Sequence, residues 1–393
     1  MSITGDQSLL KQINRMALVR VIRRVPGLSR ADVAKETGLT KSTVSLLVQE
    51  LIDEGWLAEL DAQVTGALGR RPTPLRIDPQ RLAMIGGELA VDGLQVVLVS
   101  LTGEILDSLS ETHADMQDVA RVLARLGEMV AIAGERAKAL GRELLGIGIG
   151  VPGAVDERSG LLKVAPNLGW RDVEVLAQVR RALEGNPLYN LPIYVQNEAD
   201  VAALGEFEFG EAPVPEPLIY LSLGIGVGAG IVVSDRLFVG ADGFAGEVGH
   251  SVLQRNGPLC SCGRRGCAEA FIGVRAIATR IAGAHGAKLS TNDLADLVNA
   301  GKLEAVEAAK EAGDYLGMLV QNLWTAFNPG RIVLGGPACA LGDAFVGEAR
   351  QTFALYAAEA RLAIPELRLS LYGVQAVAVG AAALVLHKTT RPL

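Results

Sequence analysis

"AMIGGELAVDGLQVVLVSLTGEILDSLSE" (residues 83–111) strings apolar runs between two tight-turn signals, Asp92-Gly93 and Thr102-Gly103, and so reads as three strands joined by short turns. "PLIYLSLGIGVGAGIVVSDRLFVG" (217–240) repeats the layout 134 residues later, counted from Ile85 to Ile219. Each block is followed by helical patterns alternating with single strands: "LLGIGIGVPG" and "LPIYVQN" after the first, "RIVLGG" and "LRLSLYG" after the second. A β-meander plus βα units, present twice, predicts an internally duplicated, two-lobed α/β protein with a cleft between the lobes.

Length and composition agree with that outline. At 393 residues the chain exceeds one ordinary core, so two or three domains are expected and a staple-dependent miniprotein is excluded. Hydrophobic residues at 49%, charged residues at 21% and 46 glycines describe a soluble globular chain with many tight turns. There is no N-terminal apolar segment with a cleavage site. The most apolar run, from about Leu369 to Leu386, is interrupted by Ser370 and Gln375, and reads as a buried small-residue helix, not a membrane span. Four cysteines, three of them clustered, fit a reducing cytoplasm better than a disulfide framework, so a cytoplasmic protein with no membrane partner is expected. The net charge of −7 is uneven: residues 1–79 hold 11 Lys+Arg and 9 Asp+Glu, the remainder 26 and 35. An anionic partner is therefore expected at the N-terminal segment.

That segment begins with "LLKQINRMALVRVIRRV", whose apolar Leu10, Ile13, Ala17 and Val21, with Leu9, Met16 and Val25 alongside, recur at helical spacing before Pro26-Gly27 stops the pattern of an amphipathic helix. "LSRADVAKETGLTKSTVSLLVQELIDEGWLAEL" follows, with Ser29 as N-cap of a short helix, a turn at Gly38, and Thr40 as N-cap of a second helix reaching about Glu54. This is a helix-turn-helix. Its second helix would enter a major groove N-terminus first, bringing Thr40, Lys41, Ser42, Thr43 and Ser45 to base edges and phosphates, while Val44, Leu47, Val48 and Leu51 face the core. "GWLAEL" and "PLRI" read as two wing strands, with Arg70 and Arg71 at the tip placed for a minor groove or phosphate. A helical hairpin used for dimerisation is the alternative.

His250, Cys260, Cys262 and Cys267 gather four soft ligands into 18 residues. Three thiolates and an imidazole suit a closed tetrahedral zinc site that organises a loop, and Gly263 and Gly266 would let the loop wrap an ion. A reduced cysteine loop without metal, or a redox pair, remains open on the residues alone. Cys339 has no ligand neighbours in sequence and reads as a core residue.

In order along the chain, "GIGIGVPGAVD", "NEADVAALGE", "LSLGIGVGAGIV", "GFAGEVGH", "CSCGRRGCAEAF" and "IVLGGP" resemble the ROK proteins, with the leading helix-turn-helix of that family's repressor branch. The resemblance covers nearly the whole chain. It implies an actin-like, ribonuclease H-like ATPase duplication behind a winged helix-turn-helix, divided as 1–79, 80–200 and 201–393, with a return of the last helix to the N-terminal lobe as the one open boundary. It favours structural zinc, and it assigns Asn167, Asn197, Glu198, Glu247, His250 and Glu269 to sugar hydroxyls, with His250 serving metal and sugar together. Carboxylates and amides in a concave site suit vicinal hydroxyls. Taken alone, Glu198 could merely start a helix, and Glu206 on the same helix reads as a solvated or lobe-packing charge.

The chain departs from the family's sugar kinases where phosphoryl transfer is made. Glu198 in "NEAD" replaces the aspartate base, Glu88 and Ala90 replace Asp and Gly of the first phosphate turn, Ile225 replaces a hydroxyl residue, and Pro337 supplies no N–H at the adenosine turn. The resemblance therefore implies a repressor rather than an enzyme. Its partners would be operator DNA and a monosaccharide effector, as a homodimer or homotetramer, with release from DNA on sugar binding. The glutamate in "QNEAD" resembles the xylose repressor branch, so xylose is the first expectation and glucose the second. An active sugar kinase, or a regulator controlled by a transport protein, are the competing readings.

Overall fold

Along "GIGIG", Gly146, Gly148 and Gly150 alternate with Ile147 and Ile149, and alternation in a strand sends the two sets to opposite faces. In the computed structural model, which describes residues 7–60, 73–112, 116–211, 213–241, 243–282, 289–361 and 364–392, the isoleucines are buried in the first lobe's core and the glycines meet other elements at close range. That two-faced strand organises the molecule.

The N-terminal head holds helices α1 (Gln7–Arg24), α2 (Arg30–Thr37) and α3 (Lys41–Asp53), followed by the antiparallel pair β1 (Leu57–Glu59) and β2 (Leu75–Ile77). Ser29 caps α2 and shares a reciprocal capping box with Asp32; Gly38, at φ 70°, ends it; Thr40 caps α3. The buried face of α1 includes Met16 but is not centred on Leu10, Ile13, Ala17 and Val21. Met16, Leu18, Val19 and Ile22 are buried, whereas Leu10 is 52% exposed and Ile13, Ala17 and Val21 are half-buried. "MALVRVI" is apolar on both sides of the helix, so spacing alone satisfies either stripe, and the neighbours decide which is covered.

The first lobe contains β3 (Leu82–Leu89), β4 (Gly93–Ser100), β5 (Ile105–Thr112), α4 (Val119–Ala139) and β6 (Glu143–Val151), then a small sheet of β7 (Ala154–Asp156), β8 (Leu161–Ala165) and β9 (Trp170–Glu174), then α5 (Val175–Ala182) and β10 (Ile193–Asn197). Helix α6 (Glu198–Phe209) leads to the second lobe: β11 (Leu218–Leu223), β12 (Val227–Val233), β13 (Arg236–Leu237), α7 (Glu269–Ile272), α8 (Val274–Ala282), α9 (Thr291–Asn299), α10 (Leu303–Phe327), β14 (Arg331–Gly335), α11 (Val346–Ala360), β15 (Glu366–Leu369) and α12 (Ala376–Thr390).

The two large sheets have one topology. Their orders are β10-β6-β3-β4-β5 and β13-β12-β11-β14-β15, each an antiparallel meander continued by two parallel strands. The duplication legible in the two sequence blocks is thus present as architecture.

The apolar run from Leu369 divides. β15 ends at Leu369, Ser370 turns its hydroxyl to Glu206, Gly373 adopts φ 53°, and α12 starts only at Ala376. Helix α12 lies on the first lobe's sheet: a Cβ on Gly86 would stand 1.9 Å from Ala378 O, and one on Gly148 1.8 Å from Ala381 O. Its other face meets α6, where a Cβ on Gly380 would stand 2.0 Å from Val201 O. α6 in turn abuts β12, where a Cβ on Gly230 would stand 2.1 Å from Ala199 O. Backbone thus packs on backbone with no room for an added methyl group. The head is not a loosely tethered bead, because Met16, Leu18, Val19 and Ile22 of α1 share one apolar cluster with β3, β4 and α12.

Candidate functional site

At the start of α3, Thr40, Lys41, Ser42 and Ser45 are exposed and Thr43 is half-buried, while Val44, Leu47, Val48 and Leu51 are buried. Thr40 Oγ1 accepts from Thr43 N at 3.2 Å and lies 3.0 Å from Ser42 Oγ. The first turn holds no acid, so the partial positive charge of the helix N-terminus and Lys41 face solvent together. Lys11 pairs with Glu50 at 2.7 Å and Arg15 pairs with Glu54, bracing α3 against α1. Arg70 and Arg71 lie outside the described residues.

In the second lobe, between β13 and α7, the ligand atoms of His250, Cys260, Cys262 and Cys267 all lie within 4.8 Å of one another. Cys262 Sγ stands 3.7 Å from Cys267 Sγ, and His250 Nδ1 stands 3.6 Å from Cys260 Sγ. A disulfide would bring two sulfurs to about 2 Å. Four donors placed about 2.3 Å from a common centre stand about 3.8 Å apart, so these separations fit a tetrahedral metal ion. The loop depends on glycine: Gly266 sits at φ 77°, and a Cβ there would lie 1.6 Å from Gln254 O. Cys339, by contrast, is half-buried at the edge of the second lobe's core.

A cavity of about 350 Å³ opens beside that cluster. Its walls include all six candidate sugar residues: Asn167 behind β8, Asn197 and Glu198 at the β10–α6 junction, Glu247 and His250 on one turn, and Glu269 at the head of α7. Asn197 is partly spent, since its Oδ1 accepts from Ala199 N at 2.8 Å and its Nδ2 donates to Gly153 O at 2.9 Å. Glu198 both starts α6 and faces the cavity. Glu269 is held by Ser261 Oγ at 2.7 Å and by Val227 N at 3.2 Å. His250 turns Nδ1 to the sulfurs and places Nε2 3.8 Å from Glu247. A Cβ on Gly226 would stand 2.9 Å from Glu269 Oε2 and 3.2 Å from Asn167 Nδ2, so the lobes converge on one glycine. Phe244, Ser261 and Arg264 also line the cavity and were not singled out from sequence, although "GFAGEVGH" carries the aromatic beside the carboxylate.

A second cavity of about 330 Å³ adjoins the first and shares Pro152, Asn167, Glu198 and Gly226 with it. Here lie the departures from phosphate-binding chemistry: Glu88, Ile225 and Pro337 all line the wall. Burial pushes Glu88 up to about 8, reinforced by Glu198 and Asp92. Burial pushes Glu198 up to about 7 and Asp200 up to about 8, with Glu247 adding to both. In an unfolded chain these groups ionise near pH 4, so the folded state holds more protons from there to about pH 8. The stability they contribute is fully present below about pH 4 and is lost as pH rises through about 8. The thermal midpoint of Asp200→Asn, which cannot ionise, is therefore expected to gain on that of the parent chain as pH goes from about 5 to about 9. Parallel profiles would sink that assignment.

Two buried carboxylates further along α6 were not read as a site. Glu206 accepts from Ser370 Oγ at 2.7 Å and Leu371 N at 2.9 Å, which makes it a lobe-packing group and not a solvated one. Glu208 pairs with Arg23 of α1, with His387 Nδ1 at 2.7 Å and with Arg391 Nη1 at 2.8 Å. Burial, then Arg391, hold His387 down to about 3, so it donates as a neutral imidazole. Burial, then Arg391, also hold Arg23 down to about 9, below its ordinary range, while Glu208 pairs with it across the junction between head and body. Arg20 Nη1 donates to Thr390 O at 2.6 Å alongside it.

Comparison with known proteins agrees with both halves of this arrangement. The pattern of the ROK family matches residues 84–388, and that of the MarR family matches residues 12–65. The chain is 34% identical over 398 residues to the xylose repressor of Caldicellulosiruptor bescii, covering 97% of each. Its structure is similar to that of a ROK family transcriptional regulator homologous to the E. coli MLC protein, with TM-score 0.76, 25% identity and 97% of each chain covered. It is also similar in fold to a ROK family glucokinase from Streptomyces griseus in complex with glucose and AMPPNP, with TM-score 0.65 and 24% identity over 77% of this chain and 98% of that one. No helix among the described residues is long and apolar enough to cross a membrane.

Proposed function

The chain belongs to the ROK family, and from that premise we propose that it is a sugar-responsive DNA-binding repressor, released from its operator when sugar enters the first cavity. The observation that carries the reading is the position of α6. Its first residue, Glu198, faces the cavity, and Glu208 near its far end pairs with Arg23 of the head. At 1.5 Å per residue the two carboxylates stand roughly 15 Å apart along the rod, the distance over which a binding event would have to be felt.

Sugar hydroxyls would be met by Asn167, the remaining Asn197 N–H, Glu198, Glu247, His250 and Glu269. Since Glu198 stands at the lobe boundary, sugar would favour the lobe spacing that lets both sides reach it, and a ligand shifts only the equilibrium for which it has such a preference. The head would read a palindromic operator as a homodimer, with Thr40, Lys41, Ser42, Thr43 and Ser45 at bases and phosphates and Arg70 and Arg71 at the wing. Zinc would be held by His250, Cys260, Cys262 and Cys267. Bound there with all four positions filled by protein, it supplies structure rather than a Lewis-acid site. Xylose is the first candidate effector, supported by the 34% identity to a xylose repressor, and glucose the second.

Catalysis is not part of the reading, because the side chain of Ile225 has no donor for a phosphate, Pro337 lacks an N–H, and Glu88 replaces an aspartate. In a mobility-shift titration, xylose is expected to weaken operator binding by about tenfold or more, the usual range of allosteric coupling. Glu198→Ala is expected to bind operator normally and ignore the sugar. Tighter binding with sugar would reverse the sign, and ATP turnover with a panel of hexoses and pentoses would replace the repressor reading with an enzyme.

A further inference from the structure

We propose that the second cavity is a subsite for another sugar ring, so that the preferred effector is a disaccharide or longer oligosaccharide rather than a free monosaccharide. The inference rests on the reading of the first cavity as a sugar site and adds to it the class of the ligand.

Three observations converge. The cavities, of about 350 Å³ and about 330 Å³, are contiguous: Pro152, Asn167, Glu198 and Gly226 belong to both walls, so a ligand can pass from one to the other beside Glu198. Each is at the small end of the range for small-molecule sites.

The lining chemistry is the second observation. Among the described residues the second cavity is walled by Glu88, Asp92, Glu111 and Glu198, and by no Lys, Arg or His. Glu111 is paired with Arg125 outside this wall, so a polyphosphate placed there would find no cation in the lining and would meet the like charge of Asp92. A neutral polyol would instead meet acceptors and donors at every side, including Gln95, Ser110, Ser222 and Thr291. Val91, Leu94 and Val374 offer apolar surface for the C–H face of a ring.

Glu88 is the third. It is half-buried in the cavity wall, and the charges that act on it are the carboxylates of Glu198 and Asp92. Being pushed up to about 8 by burial and those neighbours, it presents one O–H donor and one carbonyl acceptor to the cavity at neutral pH, a pair that vicinal hydroxyls match. The same protonation makes it a poor ligand for a divalent cation, which separates this cavity from one built for a metal-bound nucleotide.

The test is calorimetry on the full-length protein with xylose, glucose, xylobiose, xylotriose, cellobiose, maltose and Mg²⁺-ATP. At least one disaccharide is expected to bind tenfold or more tighter than its own monosaccharide, and Mg²⁺-ATP not to bind. Ala90 lines only the second cavity, so Ala90→Phe is expected to erase the disaccharide preference while leaving monosaccharide affinity within about twofold. Equal affinities for mono- and disaccharides, competition by Mg²⁺-ATP, or a preference that survives Ala90→Phe would each overturn the subsite and leave the effector reading standing. Binding of no sugar at all would overturn both together.

Discussion

Glu208→Ala is expected to lower the thermal midpoint by on the order of 10 °C and to disconnect operator binding from sugar. The carboxylate has 0% side-chain exposure and is shared by Arg23, His387 and Arg391, so its removal leaves buried cations with Asp235 as the remaining anion. Breaking a buried pair from one side costs about 3–5 kcal/mol, and about 2–4 °C accompanies each kcal/mol in a domain of a few hundred residues. Asp107→Ala makes the contrast. Its pair with Arg136 is 25% and 43% exposed, so its loss is expected to cost at most about 1 kcal/mol. Arg23→Met separates coupling from stability, since Glu208 keeps Arg391 and His387 while α1 loses its tie to α6. In both Glu208→Ala and Arg23→Met, sugar affinity by calorimetry is expected to stay within about twofold while sugar no longer moves operator affinity. An intact response in Arg23→Met would show that the signal reaches the head by another route.

The second large effect is expected from Cys262→Ser. Of the three clustered thiols Cys262 is the exposed one, whereas Cys267 is fully buried, so serine at 262 removes a ligand without opening a hole in the core. A tetrahedral site that loses one thiolate loses most of its affinity, and elemental analysis is expected to find the zinc gone. His250 and the loop carrying Ser261 then lose their anchor, and with them the wall formed by His250 and Glu269. Sugar affinity should fall tenfold or more while operator binding persists, because the head shares no residue with the metal loop. Normal sugar affinity in the zinc-free variant would show that the metal does not shape the pocket.

Much of this was legible in the sequence because local rules and tertiary structure agree. Ser29, Gly38 and Thr40 are capping residues in sequence and in space, and the two meander blocks become sheets of one topology. Six pocket candidates scattered from Asn167 to Glu269 arrive at one cavity. What was hidden depended on neighbours far along the chain. On α1 two apolar stripes compete, and only the presence of α12 and the first sheet selects Met16, Leu18, Val19 and Ile22. Glu206 and Glu208 sit two residues apart on an apolar helix, and nothing in "EADVAALGEFEF" indicates that Ser370 and Arg391 await them. The run from Leu369 to Leu386 reads in sequence as one helix, yet β15 ends at Leu369, the hydroxyl of Ser370 is claimed by Glu206, and the helix begins only at Ala376.

The glycine contacts around α6 have a mechanical side. Side chains that interlock as ridges and grooves hold two elements in fixed register, but at Gly230 and Gly380 the surfaces facing α6 are bare backbone. Elsewhere along α6, Val201, Leu204 and Phe207 share one apolar cluster with Val232 of β12 and Ala381 and Leu384 of α12, so the helix is held by side chains as well as by these backbone seats. A rod gripped on both sides moves as a unit, and any adjustment it makes is confined to the small steps by which packed elements shear.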